Sequence, residues 1–197
     1  HAMGNSSGGF KEYWDIVRQN KRFQGGFIWD FVDQALIGSV PPEKGKSVRT
    51  LMYGGDYNDY DASDNNFNCN GFITADRKMT PQAYEIGYQY QSIWTTLKDK
   101  EKGVVDVKNE YFFRDLKNYR LRWELVQDDG TVSDKGTIDD LDIAPQQTRE
   151  YNLNYTKGNG GNELLLNVYY ELKNDESLLK TGQKMAHQQF VVKEYDY

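Results

Sequence analysis

Apolar positions are spaced differently in the two halves of this chain. In the first half, Gln24-Gly25-Gly26-Phe27-Ile28-Trp29-Asp30-Phe31-Val32-Asp33-Gln34 is a dense apolar stretch entered by paired glycines. Such a run predicts a strand buried on both faces. Ahead of it, Phe10, Tyr13, Trp14 and Val17 recur at i, i+3, i+4 and i+7. That spacing is one face of a helix, which Ser6 or Ser7 would cap and which ends before Asn20. A helix followed by a buried strand is half of an α/β barrel repeat. In a parallel barrel, chemistry collects at the carboxyl ends of the strands, where Trp29 and Asp30 would stand. On spacing alone the same run reads as a core strand ending in a turn.

Residues 38 to 80 carry Gly38, Pro41-Pro42, Gly45, Gly54-Gly55 and a polar run from Asp56 to Asn66. A segment this long without periodicity is either functional or disordered. Its aromatic and glycine blocks favour an ordered site loop. Thr80-Pro81 then places a cap before a proline at the first helical position. Ala83, Ile86, Gly87, Tyr90, Ile93, Trp94 and Leu97 predict four helical turns. The charged run Lys98 to Lys102 and Gly103 mark a boundary, dividing the chain into domains 1–99 and 100–197.

Beyond the boundary the period becomes two. Leu121, Trp123 and Leu125 alternate with Arg120, Arg122 and Glu124; Leu164, Leu166, Val168, Tyr170 and Leu172 alternate with mostly polar neighbours. Asp129-Gly130 and Gly158–Gly161 are turn signals. Together with 104–107, 110–114, 132–138, 149–153 and 185–192, this predicts seven short strands, as in an immunoglobulin-like sandwich.

Composition narrows the function. The 197 residues are 38% hydrophobic and 14% aromatic, with 15 Tyr and 4 Trp, enough for a core despite a mean hydropathy of -0.85. The formal charge of -6 and the lack of a basic stripe argue against a nucleic-acid partner. No apolar run is long enough for a membrane helix. The single Cys69 excludes an intrachain disulfide and assigns no compartment. Asp30 and Asp33, three apart on one strand, would point to opposite faces. Asp56, Asp59, Asp61 and Asp64 suit turns, and they lack the spacing of a calcium loop. Asp76 beside Arg77 suggests a structural ion pair. His187, with no second histidine nearby, is a structural histidine rather than a metal ligand.

Several ordered blocks resemble one family. Gly25-Gly26-Phe27-Ile28-Trp29-Asp30-Phe31-Val32-Asp33-Gln34 resembles the last barrel strand of the β-galactosidases of glycoside hydrolase family two. His1-Ala2-Met3-Gly4-Asn5-Ser6 resembles the residues that follow the family's nucleophilic glutamate. Tyr53-Gly54-Gly55-Asp56, Asn68 to Arg77, Asn109 to Phe113 and Ile143 to Gln146 resemble later blocks in the same order. The fold class this implies is an α+β fragment: the last strand and helices of a (β/α)8 TIM barrel followed by an all-β immunoglobulin-like sandwich.

The resemblance also implies roles. The parent would be a retaining β-galactosidase acting on a β-galactoside substrate, with Mg2+ and Na+ as its ions and room for a homo-oligomer. Both catalytic glutamates and the magnesium ligands would lie upstream of His1, so this chain's partner would be the remainder of its parent and the chain alone would be inactive. His1 would contact the sugar near the transition state. Trp29 would form the floor of the galactose pocket. Asn70 would contact the sugar and, with the Phe67 carbonyl, hold a monovalent cation. The block Phe67-Asn68-Cys69-Asn70 has its cysteine one place away from a common family version. The alternative from another class is a non-enzymatic, carbohydrate-binding or structural β-sandwich module.

Overall fold

The computed structural model describes residues 8–40, 48–58, 60–62, 65–158 and 163–195. The chain divides into two compact units, His1–Tyr90 and Gln91–Tyr197.

In the first unit, helix α1 covers Phe10–Gln19 and ends at Asn20, whose N–H donates to the Ile16 carbonyl at 3.0 Å. The cap expected at Ser6 or Ser7 lies outside the described residues; the helix opens after Gly9 with no side-chain cap. Of the predicted apolar face, Phe10 is buried and Trp14 and Val17 are partly buried, whereas Tyr13 is 47% exposed. Phe10 stacks on Trp14 at 5.5 Å and meets the edge of Tyr90 at 5.3 Å. Helix α2 covers Pro81–Gln89, with Thr80 Oγ1 accepting from Ala83 N at 3.4 Å and Pro81 in the first turn. Ala83 and Ile86 face inward. The Arg18 guanidinium donates to the Gln89 carbonyl at 2.8 Å, a cation at a helix carboxyl end.

Three expectations for this part of the chain are corrected. No continuous strand spans 24–34; Val32 alone forms a parallel bridge, to Ile73. Phe27 is fully exposed, and Trp29 and Phe31 are 64% and 61% exposed. A parallel strand needs backbone partners on its edges, and 25–29 find none among the described residues. Next, α2 stops at Gln89 rather than running through Leu97. The stretch Ile93-Trp94-Thr95-Thr96 is β-branched and aromatic, and it extends as a strand in the second unit, ahead of the boundary expected at 99/100. Finally, the segment read as irregular contains a hairpin, β1 Leu36–Val40 with β2 Val48–Met52.

The second unit is a two-sheet antiparallel sandwich. Its strands are β3 Ile93–Asp99, β4 Val104–Asn109, β5 Tyr119–Gln127, β6 Val132–Ile138, β7 Thr148–Asn152, β8 Leu164–Leu172 and β9 Lys184–Lys193. One sheet has the order β3-β4-β7, the other β6-β5-β8-β9. Strict alternation along β5 and β8 turns Leu121, Trp123 and Leu125, and Leu166, Val168 and Tyr170, toward Ile93, Val105 and Val107 of the facing sheet. Asp129-Gly130 makes the β5–β6 turn. Gly130 sits at φ 84°, and the Asp129 carboxylate accepts from Thr131 N at 2.8 Å, which holds its pKa below the usual carboxylate range. The turn expected at 158–161 lies largely outside the described residues. Inside the core, the hydroxyls of Thr95 and Tyr170 lie 2.6 Å apart and join the sheets; burial raises the Tyr170 pKa.

Seven strands were expected here and seven are present among the described residues, with one exchanged. Residues 110–114 are a loop rather than a strand, and 93–99 takes the place. Asn109 explains the loop. It is fully buried; its amide donates to the Arg114 and Ile143 carbonyls at 2.9 and 3.1 Å, and its Oδ1 accepts from Tyr111 N at 2.9 Å. These bonds fold the backbone back at the end of β4.

Candidate active-site segment

The site residues of the first unit are arranged by a clasp between 30–34 and 68–73. Asp30 N donates to the Asn70 carbonyl at 2.9 Å, and Phe72 N returns a bond to the Asp30 carbonyl at 3.1 Å. Ile73 N donates to the Phe31 carbonyl at 3.0 Å, Asp33 N to the Ile73 carbonyl at 2.9 Å, and Gln34 N to the Asn68 carbonyl at 2.7 Å. The carboxyl end of the apolar run is therefore the part that finds a partner. Gly71 makes the approach possible: a Cβ there would lie 2.2 Å from Asp33 N and 2.5 Å from the Val32 carbonyl carbon. The clasp was not read from the sequence. The Asn70-Gly71 pair was its available signal, since a glycine between two apolar-flanked segments marks close backbone approach.

Both aspartates of the run serve this scaffold. The Asp30 carboxylate accepts from Phe31 N at 2.5 Å and from the Gln34 amide at 2.7 Å. The Asp33 carboxylate accepts from Gly71 N at 2.9 Å. Asp56 accepts from Tyr53 N at 2.9 Å. Groups so engaged are suited to holding backbone rather than to proton transfer. Asp76 does form an ion pair, but with Lys78 at 2.7 Å rather than with its neighbour Arg77; that pair and the Thr74 hydroxyl lower its pKa.

Trp29 stands just before the clasp, at a cis Trp29–Asp30 peptide, with most of its surface exposed. Asn70 is 3% exposed, and its amide nitrogen donates to the Phe67 carbonyl. The clasp thus brings Asn70 to the residue following Trp29 and sets Asn70 against the Phe67 carbonyl. His1 lies outside the described residues. Cys69 is an exposed free thiol, raised in pKa by partial burial and by the charges of Asp33 and Asp56. Among the described residues no group of three or more His, Cys, Asp or Glu side chains could hold a metal, and no helix is long and apolar enough to cross a membrane. His187 lies on β9, its N–H donating to Gln91 Oε1 at 2.9 Å; burial and then Lys184 lower its pKa.

What the arrangement offers is exposed aromatic surface at Phe27, Trp29 and Phe31, the last edge-on to Phe72, on a segment whose backbone is bonded to that of Asn70. Such a surface can stack on an apolar face and orient polar groups at its rim.

Comparison with known proteins agrees with both units. Residues 1–95 match the family model described as glycosyl hydrolases family 2, TIM barrel domain, and residues 105–193 match that of β-galactosidase, domain 4. The chain belongs to glycosyl hydrolase family 2. It is 36% identical over 195 residues to the β-galactosidase of Priestia megaterium, covering 98% of this chain and 18% of that protein. It is 36% identical to the β-galactosidase of Pseudoalteromonas haloplanktis over 96% of this chain and 18% of that protein. With the Clostridium acetobutylicum β-galactosidase the identity is 37% over 98% of this chain and 20% of that protein. The chain therefore spans about a fifth of the length of these relatives.

Proposed function

We propose that this chain is part of a retaining β-galactosidase that hydrolyses terminal β-D-galactosides. In this reading residues 1–99 complete the barrel and 100–197 are its immunoglobulin-like sandwich. The chain supplies the galactose platform and the cation side of the site, while the two catalytic glutamates and the magnesium ligands belong to the preceding part of the parent. What supports it most is the pairing of the Trp29-Asp30 end of the apolar run with Asn70, in a chain that aligns with β-galactosidases over nearly its whole length.

The flat indole of Trp29 suits the apolar C–H face of a galactosyl ring. In the structure the Asn70 amide nitrogen faces the Phe67 carbonyl; with that amide turned over, its Oδ1 and the Phe67 carbonyl would be two oxygen donors of the kind a hard monovalent cation accepts. Those two residues would hold sodium, which would supply a fixed positive charge beside the sugar. His1 would contact the ring near the transition state.

The test is Trp29→Leu in the complete parent enzyme. One large apolar group replaces another, so the fold should persist while the stacking surface is lost. Part of that contact strengthens as the ring flattens toward its oxocarbenium-like transition state. We expect kcat/KM for galactosides to fall about tenfold or more, with a glucoside affected less. Unchanged galactoside kinetics in a well-folded variant would remove Trp29 from the site. The isolated chain should not turn over a nitrophenyl galactoside, because a retaining hydrolase needs a nucleophile and an acid/base placed together. Activity that survives repurification would contradict the assignment of both glutamates to the preceding segment.

A further inference from the structure

We propose that Phe112 and Phe113 form a rigid apolar wedge by which the sandwich docks into an apolar cleft on a part of the parent polypeptide outside these 197 residues. The inference rests on the reading that the chain belongs to a longer protein, and it concerns a surface that reading leaves unassigned.

Phe113 is 100% exposed and Phe112 72% exposed, whereas Tyr111 is half-buried and Leu116 fully buried. A pair of phenylalanines this open is costly in water, and in a mobile loop it would turn inward. Here the backbone forbids that. Glu110 N donates to the Ser92 carbonyl at 2.8 Å. The Gln146 amide donates to the Glu110 carbonyl at 2.7 Å, and Gln146 N to the Tyr111 carbonyl at 3.2 Å. Asn109 ties both ends of the turn, and Arg114 donates to the Tyr119 hydroxyl at 2.7 Å while pairing with Glu176. Exposure is thus imposed by a hydrogen-bonded frame on both sides of the pair. With the backbone that carries the pair already held, only side-chain rotation remains to be lost on docking, which lowers the cost of binding.

The geometry selects the kind of partner. The two rings lie 6.3 Å apart at 45° to one another, so they present a ridge and not a flat platform for a sugar. The polar groups around the adjoining open concavity of about 550 Å³ already have protein partners: Arg114 those above, and Glu110 the Lys108 ammonium at 3.2 Å. Little remains to bind hydroxyls. The relatives, of which this chain spans 18 to 20%, leave about four-fifths of a polypeptide to provide an apolar cleft.

The experiment places the photo-cross-linker p-benzoylphenylalanine at position 113, and in a second variant at 112, of the full-length parent. After irradiation, product mass and cross-linked peptides are read by mass spectrometry. Hydroxyl-radical footprinting of the unaltered Phe112 and Phe113 runs in parallel on the parent and on the 197-residue chain. The expected result is a product of single-chain mass, joined to a peptide outside residues 1–197, with oxidation of both phenylalanines about tenfold lower in the parent. A product of two-chain mass would make a second copy the occupant and overturn the proposal. So would cross-links confined to residues 1–197, or equal oxidation in parent and chain. Galactosidase activity is assayed on the same samples. A parent that cross-links as expected but leaves galactosides intact would defeat the proposed function and leave the wedge standing.

Discussion

The two units of this chain differ in how they obtain a core. In the sandwich, each strand finds its hydrogen-bonding neighbour within the unit, and the alternating side chains of β5 and β8 meet those of β3 and β4 across the middle. Residues such as Val105, Leu125, Leu166 and Leu172 are fully buried as a result. In the first unit the buried apolar residues described are Phe10, Ile73, Ala83 and Ile86, while Phe27, Trp29 and Phe31 stay open. The apolar content of the sequence is similar in kind; the availability of partners is not. An antiparallel meander carries its own edge partners, whereas a strand of a parallel barrel depends on strands distant in sequence.

The strongest way to break this comparison is native-state hydrogen exchange on the 197-residue chain. Amides of β4, β5 and β8 should exchange at least about a hundredfold more slowly than those of 23–58, because opening the former requires disrupting a complete core. Equal protection in both units would show that the first one closes a core of its own. A substitution sharpens the same point. Leu125→Ala should destabilise the sandwich by about 2–5 kcal/mol, the cost of lost burial plus a cavity. Denaturant unfolding followed by the exchange of individual amides should show that loss in 91–195 and leave α1 unchanged; a loss shared equally by α1 would mean that the units unfold together.

These differences decide what could be read in advance. α1, the Thr80 cap, the Asp129-Gly130 turn and strands 132–138 and 164–172 follow from local spacing and turn chemistry, and local chemistry is what a sequence displays. The strand 93–99 was hidden because Ile93, Trp94 and Leu97 also fit a helical face; the β-branched Thr95-Thr96 between them was the contrary signal. The loop 110–114 was hidden because its cause, the buried Asn109, acts through carbonyls from different parts of the chain. At the candidate site, the residues came from resemblance. Their mutual placement depends on the clasp between 30–34 and 68–73, a non-local pairing that no spacing rule reports.

The smallest expected effect is on pH, and it too should separate the units. Burial and Lys184 set the folded pKa of His187 below its ordinary value of 6.5. As pH falls through the unfolded value, the unfolded state takes up the proton first, so stability from this residue is complete above about pH 6.5 and declines below it, levelling once the folded histidine is also charged. Asp129, whose pKa is lowered by its Thr131 bond, loses its contribution in a more acidic range, on falling through its folded value. The denaturation midpoint of the sandwich should therefore drop slightly from pH 7.5 to about pH 5.5, and His187→Gln should reduce that slope. An unaltered slope in the variant would assign the effect elsewhere.

The clasp at Gly71 has a consequence for how this protein can vary. Because 30–34 and 68–73 are bonded to each other, the chain between Gln34 and Asn68 is tied off at its base. Lengthening such a tied segment costs only about 0.6 kcal/mol for each doubling, since closure entropy grows with the logarithm of length. Evolution and engineering can thus add or remove residues around the β1–β2 hairpin while Trp29 and Asn70 keep their relation. Position 71 itself has no such latitude, as any side chain there would force the two backbones apart.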